Sequence, residues 1–136
     1  MTNPNKSSRP EFRNIAITDL IGYRLPLAGI VSILHRISGM LMFLLLPLLL
    51  GLFDLSLSSA QSWSDVAFWF TALPMKLLAL LLFWALAHHL CAGLRHLGME
   101  VTHSLSKQSG KVWAAGALAV SLLATAGFAA HLFLGV

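Results

Sequence analysis

Charge is scarce in this chain of 136 residues. Only 10% are Asp, Glu, Lys or Arg, against about 25% in soluble domains, which argues against an ordinary water-soluble domain. Carboxylates are the rarest charges, and none falls inside a long apolar stretch. That disfavours a transporter or proton channel, which would be expected to carry an intramembrane acid or a broken helix. Cys91 is the only cysteine, so a disulfide framework, a Cys-pair metal site and an iron–sulfur ligand set are all excluded. No CxxCH is present, which excludes c-type haem attachment by that route, and no flavin-binding fingerprint appears.

What the chain has instead is apolar residues, 57% of the total, gathered into three blocks rather than spread as amphipathic stripes. Each block is long enough to cross a hydrocarbon core of roughly 30 Å. The sequence therefore predicts an all-α membrane protein of one domain, 1–136, with transmembrane helices at about 26–53, 68–97 and 112–135. Residues 1–24 form a polar leader, and 54–67 a polar connection with Asp54, Asp65 and several serines. Pro47 is expected to kink the first helix. No small-residue cleavage site follows the first block, so no removable signal peptide is expected.

The net charge of +4 does not indicate nucleic acid, because the basic residues flank apolar blocks. Lys6, Arg9, Arg13 and Arg24 lie in the leader, Lys107 and Lys111 follow the second block, and 54–67 has no Lys or Arg. The positive-inside rule then places the N-terminus in the cytoplasm and the C-terminus on the far side. Trp63 and Trp69 are assigned to the outer interface and Trp113 to the inner one. The third helix is rich in small residues, from Ala114, Ala115 and Gly116 through Ala119, Ala124, Ala126, Gly127 and Ala130, and is expected to pack closely on its neighbours.

Ionisable side chains inside hydrocarbon are costly, and their presence points to function. They form two clusters, Ser32-Ile33-Leu34-His35-Arg36-Ile37-Ser38-Gly39 and His88-His89-Leu90-Cys91-Ala92-Gly93-Leu94-Arg95-His96. With a rise of about 1.5 Å per residue, His35 lies roughly 13 Å and His89 roughly 12 Å from the cytoplasmic ends of their helices. The clusters should meet at one depth. Ala85, His89 and Gly93 recur every fourth residue on one face, a flat shelf against which a planar ring could lie with His89 as axial ligand to haem iron. Adjacent histidines cannot occupy trans positions, so a sixth ligand would come from outside the His88–His89 pair; His103 and His131 are poorly placed for it. Arg36 needs an anion or strong acceptor at its depth, a haem propionate or a quinone carbonyl, and Ser32 one turn earlier shares its face. Blander roles suit the rest. Arg95 is expected to snorkel to the interface, His88 to bond between helices, His96 to meet a propionate or solvent, His131 to sit at an interface, and Cys91 to pack.

The two clusters resemble the paired hallmarks of the cytochrome b556 subunit family of bacterial succinate dehydrogenases. The resemblance covers nearly the whole chain, including Arg9-Pro10 and Arg24-Leu25-Pro26 ahead of the first motif. It departs in a longer leader and in Glu100 where the family usually has Asp. The resemblance implies a multi-pass subunit of the bacterial inner membrane, packed with a companion anchor subunit into a larger bundle. It implies one shared haem b, with His89 as an axial ligand and the other ligand from the companion. His35, Arg36 and His96 would approach the propionates, and Ser32 and Arg36 would line a ubiquinone site. Electrons would arrive from flavoprotein and iron–sulfur subunits that oxidise succinate in the tricarboxylic acid cycle; this chain would be a non-flavin subunit, not catalytic alone. The alternatives are the anchor of a quinol:fumarate reductase and a haem-free structural anchor.

Overall fold

A computed structural model describes residues 24–104 and 106–135. Residues 1–23 of the leader, with the roles expected for Lys6, Arg9-Pro10 and Arg13, lie outside the described residues. Four helices follow in order: α1 Leu27–Ser58, α2 Ala60–Trp69, α3 Leu73–Val101 and α4 Lys107–Leu134. Three of them, α1, α3 and α4, are long and apolar enough to cross a membrane. The chain is an all-helical multi-pass membrane protein.

Each helix stops where capping chemistry stops it, not where hydropathy falls. Pro26 is extended ahead of α1, and its carbonyl accepts the Gly29 amide at 2.8 Å. α1 then runs for 32 residues, about 48 Å at 1.5 Å per residue, straight through Pro47 and well past the end of the apolar block. In a membrane-spanning helix, neighbouring groups can compensate for the amide a proline lacks. Ser59 breaks the run: its backbone is fully extended, and its Oγ accepts the Ser62 amide at 3.0 Å as the N-cap of α2. Most of the segment read from sequence as a polar connection is therefore helical. α2 turns Val66 inward and carries Trp63 and Trp69 exposed.

Phe68 and Trp69, expected to open the second span, belong to α2, and α3 begins at Leu73 with Pro74 in its first turn. That position suits proline because its missing amide would have no partner there. α3 continues to Val101, closing with His103 in the left-handed region at φ 51°. Ser106 Oγ then accepts the Ser109 amide at 3.0 Å and starts α4, five residues before the apolar block. Gly135 ends α4 with φ 72°, its amide bonding to His131 O at 3.2 Å, a conformation glycine adopts without penalty.

The three long helices alternate in direction. The start of α3 reaches the end of α4, where Lys76 Nζ donates to Leu132 O at 3.1 Å and lies 5.7 Å from the Phe133 ring centre. At the other end, Gly98 of α3 faces Trp113 of α4; a Cβ on Gly98 would fall 2.8 Å from the indole, so only glycine lets the ring lie there undisturbed. Near that same end Val31, Ala92 and Ala114, one from each long helix, are completely buried. α4 approaches through Gly110, Ala114, Ala117 and Ser121, a stripe of small residues with helical spacing. The other small residues do not all serve this contact. Ala115, Gly116, Ala119, Ala124, Ala126 and Gly127 are exposed. Large apolar side chains are likewise exposed, Phe43 at 74% and Leu123 at 73%. This outward display suits lipid or further helices as surroundings.

Candidate functional site

The two polar clusters meet. The rings of His35 on α1 and His89 on α3 stack with centres 4.1 Å apart at 25°. His96 adds a third imidazole 5.6 Å from His35. The equal depths inferred from helical rise correspond to direct contact.

His89 is held by the backbone of α1. Its Nδ1 lies 3.0 Å from His35 O, and because a carbonyl only accepts, Nδ1 carries the proton. Ser38, completely buried, donates its hydroxyl to the same carbonyl at 2.9 Å, and its Oγ lies 3.3 Å from Nδ1. The consequence is chemical: Nε2 of His89 keeps its lone pair. A metal-binding histidine is commonly oriented in this way, through the nitrogen that does not meet the metal. Gly39 makes the approach possible, since a Cβ there would lie 2.8 Å from His89 Cε1. Ser38 and Gly39 stood within the first motif without an assigned role; their signal was their place within four residues of His35.

The shelf inferred for Ala85, His89 and Gly93 takes a different form. Ala85 is completely buried in the packing of the chain itself, whereas His89 and Gly93 are half-buried. The His35 ring lies near Gly93, 3.8 Å from the Cβ position to its Nε2. Rings stacked as His35 and His89 are cannot stand on opposite sides of one planar macrocycle, so this pair cannot supply both trans ligands of a single haem. Among the described residues no cluster of three or more His, Cys, Asp or Glu side chains is placed to hold a metal ion.

Arg36 and Ser32 sit on the flank of α1, one turn apart. Arg36 is exposed and Ser32 half-buried, and Arg36 has no hydrogen-bond or ion-pair partner among the described residues. His96 is exposed beside His35.

His88 points the other way. It is completely buried, its Nδ1 lies 3.3 Å from Ser121 Oγ on α4, and Trp84 stacks near it at 5.7 Å. Ser121 donates to Leu118 O at 3.1 Å, leaving its oxygen to accept from His88. This is the interhelical bond expected of His88. The reading of Arg95 requires correction. It is not turned out into the surroundings: only 6% of it is exposed, and among the described residues its Nε and Nη1 are buried without a hydrogen-bond partner. It lies on the α4-facing side of α3 with His88 and Ala92, so the packing of α4 encloses it.

Residues 12–128 match the family described as succinate dehydrogenase/fumarate reductase transmembrane subunit. The chain belongs to this family. It is 33% identical over 118 residues, 78% of this chain and 86% of the relative, to a protein of Coxiella burnetii named succinate dehydrogenase cytochrome b556 subunit. Membership makes the chain a non-catalytic membrane subunit of an oxidoreductase complex, and the match spans α1, α2, α3 and most of α4. Both polar clusters fall within it.

The His88–Ser121 bond yields a stability prediction. Ser121→Ala removes the acceptor and leaves both ring nitrogens of a buried imidazole unpaired, a loss of roughly 1–3 kcal/mol. The melting temperature of the detergent-solubilised complex should fall; an unchanged value would show that the bond contributes nothing.

Proposed function

We propose that this chain is the haem b-binding membrane anchor of a succinate dehydrogenase and helps electrons from succinate oxidation reach ubiquinone. The observation that carries the reading is the His89 tautomer: with Nδ1–H engaged by the His35 carbonyl, Nε2 is left as the ligating nitrogen. A relative whose name includes cytochrome b556 supports haem as the group it meets. Haem supplies a one-electron carrier whose potential depends on its axial ligands and on the hydrogen bonds around them.

The chain's own residues divide the remaining tasks. Ser38 and the His35 carbonyl fix the orientation of His89. His35, Arg36 and His96 provide polar and cationic groups for propionates beside it. A companion anchor subunit would supply the other ligand to the haem, in keeping with the stacked His35–His89 pair. Ser32 and Arg36 serve ubiquinone on the flank of α1. Arg36, exposed and unpaired among the described residues, offers a rigid fork of donors to a carbonyl oxygen and can hold negative charge developing there. The flavoprotein and iron–sulfur subunits deliver the electrons. The positive-inside rule, applied to Lys107, Lys111 and the leader cations, supports a cytoplasmic N-terminus and a periplasmic C-terminus in a bacterial inner membrane.

Two measurements test this reading. A reduced-minus-oxidised optical spectrum of the solubilised complex should show b-type absorbance in the wild type and in His88→Ala, and little or none in His89→Ala. Full haem content in His89→Ala would remove it as a ligand, and loss confined to His88→Ala would transfer the role to its neighbour. For the quinone, Arg36→Ala should lower succinate-driven ubiquinone reduction at least tenfold, an effect of about 1.4 kcal/mol or more on the barrier, while subunit assembly is largely kept. Normal turnover would count against that site.

A further inference from the structure

At the end of the bundle where α1 and α4 begin and α3 finishes lies a cavity of about 580 Å³. Three cations line it, Arg95, Lys107 and Lys111, together with the polar Ser106 and Gln108, and no carboxylate is among the described lining residues. Arg95 is the decisive member. It is 94% buried, and two of its guanidinium nitrogens have no partner among the described residues. A guanidinium stays charged, and enclosing it unpaired is among the more costly arrangements a fold can contain. The first turn of α4 adds the positive end of a helix of 28 residues. Pro26, Leu27, Ala28 and Met99 supply an apolar part of the wall.

The anion that Arg95 calls for is not one held by His89. Six residues separate the two on α3, which turns their side chains about 120° apart. Arg95 shares its face with His88 and Ala92, against α4. The cavity lies where the apolar spans give way to Ser106 and Lys107, the level of phospholipid headgroups.

We propose that this cavity binds the phosphate headgroup of an anionic phospholipid, with the buried Arg95 as its main contact and the exposed Lys107 and Lys111 completing the charge. The apolar wall meets the glycerol and the start of the acyl chains, which favours a lipid over free phosphate. A phosphate there sets its negative charge against the buried guanidinium, and a turn of the Arg95 side chain toward the cavity gives its unpartnered nitrogens phosphate acceptors. This inference does not rest on the haem reading.

The test uses the whole complex, stripped of lipid in a neutral detergent and examined by native mass spectrometry. Short-chain phosphatidylglycerol, short-chain phosphatidylcholine or inorganic phosphate is added. Wild type should take up one tightly held phosphatidylglycerol more than Lys107→Gln/Lys111→Gln, whose binding should weaken about tenfold or more. That double variant changes only exposed side chains, and its co-purification with the other subunits reports its folding. Arg95→Gln, if it assembles, should lose the site altogether. Equal uptake of phosphatidylcholine, complete displacement by inorganic phosphate, or unchanged phosphatidylglycerol binding in the double variant would each overturn the proposal.

Discussion

Hydrocarbon donates and accepts no hydrogen bonds, so each polar side chain within a span needs a partner in protein or in something bound to it. Nearly all the polar geometry of this chain follows from that constraint. Lys76 uses the terminal carbonyl of Leu132. His88 uses Ser121, and Ser121 in turn uses Leu118. His89 uses the backbone of α1, with Ser38 sharing the same carbonyl. These bonds connect α3 to α1 on one face and to α4 on the other, so polar groups complete the cohesion that small apolar contacts at Val31, Ala92 and Ala114 begin.

Among the described residues, two arginines of the spans stand outside this pairing, and they differ in kind. Arg36 is exposed on the flank of α1, where a subunit, a haem propionate or a quinone can reach it. Arg95 is enclosed between α3 and α4, and it lines the cavity at the bundle's end. His89 forms a third case. Its bond to α1 satisfies one nitrogen and so leaves the other for the ligation proposed for it.

Much of this was legible in the sequence, for identifiable reasons. Three apolar blocks require three spans, and regular helical rise brings His35 and His89 to one depth; neither inference needs tertiary detail. Separating His88 from His89 also needed only the 100° turn between consecutive residues. Helix ends were less legible, because hydropathy reports where lipid lies while Ser59, Pro74 and Ser106 decide where the backbone turns. Arg95 was misread because position near a helix end suggests snorkelling, whereas burial depends on what a neighbouring helix covers. The part played by Gly39 was hidden for the same reason: its missing Cβ matters only once the imidazole from α3 arrives beside it.

The central claim is that α1 sets the position from which His89 ligates, and Gly39→Val tests it most directly. A side chain there must displace the His89 ring, since even a Cβ would approach it to 2.8 Å, yet the substitution replaces no proposed ligand. The account predicts that the purified, fully assembled complex loses its b-type absorbance or shows a shifted band and midpoint potential. An assembled Gly39→Val complex with the wild-type spectrum and potential would contradict it.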